Sequence, residues 1–251
     1  MNEEATVPEI LFEDNHLLVA VKPAGILSQA DATGTPDMLT ILKADLKRRY
    51  NKPGDVYLGL LHRLDRPVRG VMVFARTSKC ASRISAQIRE RTIEKKYRAI
   101  VCGSVSPPAG TLRGAILKDS KNNRSTVFES DSAPEEAKEC VLLFESTSHA
   151  RYSSGGSLMP LTLLDITLVT GRSHQIRAQL SDAGYPILGD KKYGDESDYR
   201  GDICLESYSL TLRHPIRNEK MNFNIPLPGR EPWLLFEKGT ENGRETNDFS
   251  R

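Results

Sequence analysis

The sequence predicts an α+β fold: a mixed, mainly antiparallel sheet flanked by helices and loops. Three observations carry this. Strand-like runs far outnumber helix-like ones, they do not alternate regularly with helices as a doubly wound fold requires, and no linker divides the chain. With 251 residues the chain is long enough for one sizeable core. Residues 1–236 read as a single domain, and residues 237–251 as a polar, disordered tail.

The elements follow in order. Residues 10–21 hold two short apolar runs around Glu13-Asp14-Asn15, a hairpin pattern. Lys22-Pro23-Ala24-Gly25 breaks the second strand. Residues 38–50 read as a helix, with Leu39, Leu42 and Leu46 at helical spacing. Residues 77–91 read as another, capped by Thr77 or Ser78. Ala81, Ile84 and Ile88 form its inner stripe, with Lys79, Arg83 and Arg89 outside. Lys95–Cys102 reads as a strand with Tyr97, Ala99 and Val101 on one face. Residues 103–170 are mostly β, with loops at 106–108 and 153–156 and good alternation over Leu161–Val169. A helix follows Gly171, with Ile176 and Leu180 inward, and ends at Gly184. Residues 185–190 form a turn-rich loop, and Leu205–Leu212 and Met221–Ile225 are the last strands.

Composition excludes several classes. Hydrophobic residues make up 38% and charged residues 27%, and no apolar run approaches the ~20 residues of a membrane span. Met-Asn-Glu-Glu lacks the features of a secretory signal, so a cytoplasmic protein is expected. Cys80, Cys102, Cys140 and Cys204 form no Cys-x-x-Cys pair and the histidines are scattered, so no metal site is expected. The formal net charge is only +2, but cations cluster. Residues 76–98 carry Arg76, Lys79, Arg83, Arg89, Arg91, Lys95, Lys96 and Arg98 against Glu90 and Glu94. Lys43, Lys47, Arg48, Arg49 and Lys52 form a second cluster. Such stretches fit a phosphate-gripping face, and equally a solvated helix surface.

Three segments are candidates for chemistry. In His62-Arg63-Leu64-Asp65-Arg66-Pro67-Val68-Arg69-Gly70 a polar run interrupts two apolar ones, as a functional loop or a surface turn would. In Glu94-Lys95-Lys96-Tyr97-Arg98 an aromatic sits among cations, suited to base stacking or to sheet packing. In Thr170-Gly171-Arg172-Ser173-His174-Gln175-Ile176-Arg177 a helix start offers free N–H groups beside Arg172, an anion site or ordinary capping.

Together and in this order, these motifs resemble the RluA family of RNA pseudouridine synthases. The opening Ile-Leu-Phe-Glu-Asp-Asn-His-Leu-Leu-Val-Ala-Val-Lys-Pro-Ala-Gly and the later Gly-Tyr-Pro-Ile-Leu-Gly-Asp-Lys-Lys-Tyr-Gly match as well, so the likeness spans about residues 10–194. The resemblance implies isomerisation of uridine in RNA without cofactor or metal, on the pseudouridine synthase catalytic fold. It makes Asp65 the catalytic carboxylate, as nucleophile or base, and Arg177 its cationic partner. Tyr97 becomes the aromatic that stacks on the target base, its hydroxyl assisting proton transfer. His62 and Arg63 would fill the gap left by the extruded base. Arg172 and the helix at 77–91 would hold phosphates, and Ile176 is a candidate for the uracil pocket as well as for plain core. Many family members carry Thr-Ser before the loop glycine, where this chain has Val68-Arg69; Arg69 is therefore expected to contact RNA. With the catalytic opening near Glu9, the chain resembles compact members without an N-terminal RNA-binding domain, acting on tRNA or rRNA stem-loops. It would act as a monomer with no protein partner. The rival readings are a non-catalytic RNA-binding module on the same fold and a base glycosylase.

Overall fold

The computed structural model of the chain describes residues 7–154 and 156–240. Local chemistry sets its opening. Asp14 Oδ1 accepts hydrogen bonds from the backbone N–H of His16 (2.7 Å) and Leu17 (2.8 Å), the usual way a short acidic side chain closes a turn. Strands β1 (Ile10–Glu13) and β2 (Leu17–Lys22) then pair antiparallel as the expected hairpin. Helix α1 (Met38–Arg49) begins at Asp37, whose carboxylate accepts from Thr40 N–H at 3.0 Å. Helix α2 (Ser78–Arg89) begins at Thr77, whose hydroxyl accepts from Cys80 N–H at 3.2 Å. The inner stripe of α2 is centred on Cys80 and Ile84, with Ala81 and Ile88 only partly covered.

The remaining strands are β3 (Gly59–Leu60), β4 (Arg69–Ala75), β5 (Glu94–Cys102), β6 (Ala109–Asp119), β7 (Arg124–Phe128), β8 (Lys138–Ser154), β9 (Ser157–Leu168), β10 (Leu205–Arg213) and β11 (Lys220–Asn224). Among the described residues eleven strands form one sheet, ordered β1-β2-β4-β10-β5-β9-β8-β6-β7, with β11 on β10 and β3 on β4. Every pairing between these strands is antiparallel except β4 with β10. The α+β architecture with a mixed, mainly antiparallel sheet is therefore as the sequence predicts. One expectation needs correction. β5 does not alternate between a buried and an open face: Tyr97 through Val101 are all buried, because β5 runs mid-sheet between β10 and β9 with both faces covered. Residues 237–240, expected in the tail, end a 3-10 helix (Trp233–Thr240) whose Trp233 and Phe236 are buried. Residues 241–251 lie outside the described residues.

Strand parity divides the packing. Leu18, Ala20, Met72 and Phe74 face α1 through Met38, Leu42 and Leu46. Their neighbours Leu17, Val19, Val71 and Val73 face α2 through Cys80 and Ile84. Helices α1 and α2 thus cover opposite faces of the first half of the sheet. That half joins the rest through the short parallel contact of β4 with β10, where Arg69 lies opposite Glu206 and Gly70 opposite Ser207. A Cβ at Gly70 would stand 2.6 Å from the Ser207 carbonyl oxygen, so only glycine allows this approach. Gly70→Ala is expected to destabilise the protein by about 1–3 kcal/mol through overpacking. A thermal melt superimposable on the parent's would disprove this account of the joint.

Candidate active site

The loop from His62 to Gly70 is held by its backbone. Ser28 Oγ donates to Leu64 O at 2.8 Å and accepts from Leu64 N–H at 3.0 Å. Lys22, fully buried, donates from Nζ to the carbonyls of Pro23 (2.9 Å), Ile26 (2.7 Å) and Arg66 (2.9 Å). Burial pushes the Lys22 ammonium down to about 7, against the attraction of Asp65. Gly25 N–H donates to Arg66 O at 2.9 Å, and Val68 N–H closes the turn on Asp65 O at 3.0 Å. Leu64 and Val68 sink into the core on either side. The Asp65 side chain stays about a quarter exposed at the surface of this knot, between exposed Arg63 and Arg66.

Arg177 meets it from helix α3 (Gln175–Asp182). Its Nη1 donates to Asp65 Oδ2 at 3.1 Å. Its Nε and Nη2 grip both oxygens of buried Asp190 at 2.7 and 2.8 Å, a two-pronged geometry that fixes the guanidinium. The Tyr193 ring covers it at 5.0 Å. The two carboxylates raise the Arg177 pKa against the desolvation that lowers it. His174 completes the ring: its Nε2 lies 3.7 Å from Asp65 Oδ2, and its Nδ1 shares a 2.8 Å hydrogen bond with the Tyr193 hydroxyl. His174 caps α3 in the left-handed backbone conformation (φ 54°), strain of the kind found at functional sites. Desolvation and nearby cations lower its pKa, against the pull of Asp65.

Tyr97, from β5, is 7% exposed and packs in the same core as Leu64, Val68 and Ile176. Its hydroxyl bonds with Ser207, and burial pushes its pKa up to about 12. Asp65, Tyr97, Arg177 and Ile176, named from separate stretches of sequence, are thus brought together. Lys22, Ser28, His174, Asp190 and Tyr193 were not singled out. Their types are ordinary, and only the fold gathers them around the Asp65 loop, Arg177 and each other.

Several expected residues are placed elsewhere. His62 accepts a 3.1 Å hydrogen bond from Val73 N–H at Nε2, so its ring is pinned to β4. Arg172 donates to Glu139 O at 3.0 Å. The expected helix start beside Gly171 is corrected too, because α3 begins only at Gln175. Gln175 Oε1 accepts from Thr170 Oγ1 (2.8 Å) and Arg172 N–H (3.0 Å), so these groups are satisfied internally. Arg69 is ion-paired with Glu206 rather than turned toward Asp65. Helix α2 covers the sheet face opposite the one on which Leu64 and Val68 pack. The cations that rim the site are instead exposed Arg63 and Arg66 on the loop, Arg124 over the Tyr193 ring (5.1 Å), and Lys118 and Lys192, whose charges reach His174. Among the described residues no cluster of three or more His, Cys, Asp or Glu could hold a metal ion, and no helix is long and apolar enough to cross a membrane.

Two outcomes follow. Asp190→Ala leaves Arg177 without its bidentate partner and is expected to cost about 3–5 kcal/mol, as when one member of a buried ion pair is removed; chemical denaturation measures it. Burial, with Lys95 nearby, holds the His62 imidazole well below its ordinary 6.5. As pH falls through that value the unfolded chain takes up the proton first, so the folded state loses stability. His62→Gln should therefore lose less stability than the parent between about pH 7 and about pH 5. Parallel curves would contradict it.

Comparison with known proteins identifies the family. The family model for RNA pseudouridylate synthase matches residues 16–182. The chain is 31% identical over 218 residues to the dual-specificity RNA pseudouridine synthase RluA of Haemophilus influenzae, covering 86% of this chain and 91% of that one. It is 31% identical over 226 residues to the ribosomal large subunit pseudouridine synthase C of Buchnera aphidicola, covering 87% and 66%. It is 30% identical over 222 residues to an uncharacterized RNA pseudouridine synthase of Bacillus subtilis, covering 88% and 68%. Among solved structures, human RNA pseudouridylate synthase domain containing 4 shares the fold with a TM-score of 0.69 at 24% identity, covering 88% of this chain and 89% of that one. The chain belongs to the RNA pseudouridine synthases, within them to the RluA family, and is an isomerase.

Proposed function

We propose that Asp65 is the catalytic carboxylate for isomerising specific uridines in a tRNA or rRNA stem-loop, with the target base extruded from its stack. The observation that carries this reading is the contact of Asp65 with Arg177, itself clamped by Asp190. A carboxylate so paired is delivered in one orientation.

In the reaction the bond from ribose C1′ to uracil N1 breaks, a bond from C1′ to C5 forms, the C5 proton leaves, and N1 takes up a proton in its place. Asp65 acts as nucleophile or base in that exchange. Tyr97 presents its ring as the stacking face for the base. A phenol pushed to about 12 keeps its proton at neutral pH, so its hydroxyl can only pass a proton on through a partner such as Ser207. Ile176 forms the apolar floor. Arg63 is the better placed candidate to fill the gap in the stack, being exposed where His62 is pinned. Arg66, Lys118, Arg124 and Lys192 hold phosphates, with Arg172 at the margin. The enzyme works as a cytoplasmic monomer on this reading.

Because C5 loses its hydrogen, RNA tritiated at uracil C5 reports turnover. Asp65→Asn should lower tritium release by about a thousandfold or more while RNA affinity stays within about threefold, since charge at the rim is untouched. Retained release would sink the assignment. Lys192→Ala should weaken RNA binding and reduce the slope of log affinity against log salt by about one, the signature of one lost phosphate contact. An unchanged slope would remove Lys192 from the interface.

A further inference from the structure

The ion pair of Arg69 with Glu206 lies at the one place where the strand leaving the Asp65 loop meets the rest of the sheet. Glu206 is 1% exposed and sits in β10 directly between two arginines. On one side it is in register with Arg69 of β4, on the other with Arg98 of β5. One carboxylate oxygen takes the Arg69 guanidinium, and the other takes Arg98 Nε at 2.7 Å. Arg98 is anchored further by donating to Ile225 O at 3.0 Å, and it lies over the Tyr208 ring at 4.8 Å. The next residue repeats the pattern on the other face. Ser207 is in register with Gly70 on one side and Tyr97 on the other, and bonds the Tyr97 hydroxyl.

Successive strand residues point to opposite faces. Arg69, Glu206 and Arg98 therefore form a charged row on the face away from Tyr97. That row cannot touch a base stacked on Tyr97. It does fix the distance between β4, which begins four residues after Asp65, and β5, which carries Tyr97. The Val68 N–H to Asp65 O bond makes the intervening turn stiff.

We propose that Glu206 is a positioning residue for the isomerisation: by bridging Arg69 and Arg98 it sets the separation of Asp65 from Tyr97. This rests on the assignment of Asp65 and Tyr97 made above. It also gives Arg69 a role inside the protein in place of an RNA contact. A misplacement of about 1 Å between reacting groups can cost on the order of a hundredfold in rate, so a buried link of this kind is large enough to matter.

The test uses the full chain and unfractionated RNA from cells lacking the gene, tritiated at uracil C5. Single-turnover rate at saturating enzyme and RNA affinity are measured separately. Glu206→Gln and Arg69→Met should each lower the rate by about tenfold or more with affinity within about twofold. The double variant should be no slower than the worse single one, because both break one link. Arg69→Lys, which keeps the charge, should recover most of the rate. The proposal is overturned if both single variants react at the parent's rate, or if the double loss is the product of the single losses. It is overturned equally if Arg69→Met weakens RNA binding and lowers its salt slope at an unchanged rate, which would make Arg69 a phosphate contact. Should Glu206→Gln not fold, partly exposed Arg69 decides the matter through its Met and Lys variants. If the parent itself releases no tritium, the isomerase assignment of Asp65 fails, and this proposal with it.

Discussion

Gly70 lies against the Ser207 carbonyl at a distance that no side chain tolerates, and through that contact β1, β2 and β4 are joined to the strands centred on β5. The parallel pairing there is only two residues long. The Asp65 loop ends where that pairing begins, so the position of Asp65 relative to Tyr97 and Arg177 is a property of the joint. Core packing then secures the joint, with Leu64, Val68, Ile176 and Tyr97 in one continuous cluster.

Charge at the site is arranged to be rigid. Arg177 sits between two carboxylates, one fully bound and one partly exposed. A buried guanidinium with a single partner would be costly and mobile; with Asp190 holding two of its nitrogens it has one geometry. Lys22 acts similarly below the loop, its ammonium held by three backbone carbonyls. Neither residue needs to meet the substrate to govern what Asp65 can do.

Much of this was legible in sequence. The hairpin, α1, α2, β5 and the late strands follow from periodicity, caps and turn residues, which are local signals. Asp65, Tyr97 and Arg177 were singled out because the runs that hold them, taken together, resemble one family, and the fold does bring the three side chains near one another. What was not legible depends on long-range register. Whether α2 shares a face with Asp65 turns on the parity of Met72 against Val73, which composition does not reveal. Asp190 and Tyr193 sit in a turn-rich stretch whose chemistry appears only when α3 packs against it. Glu206 lies in an ordinary strand, and its importance is created by its two lateral neighbours. Arg69 was read as a free cation because a carboxylate 137 positions away leaves no trace beside it.

Gln175 occupies the place a bound anion would take ahead of α3. Its side chain already accepts from Arg172 N–H and Thr170, and it donates to Val141 O at 3.1 Å and Gln179 Oε1 at 3.0 Å. The Arg172 N–H and the Thr170 hydroxyl are thereby already taken. On the proposed function, recognition at the rim then falls to separate, solvent-facing side chains. A surface of that kind can be rewritten one cation at a time, so the range of RNAs accepted can drift while the reaction centre stays fixed.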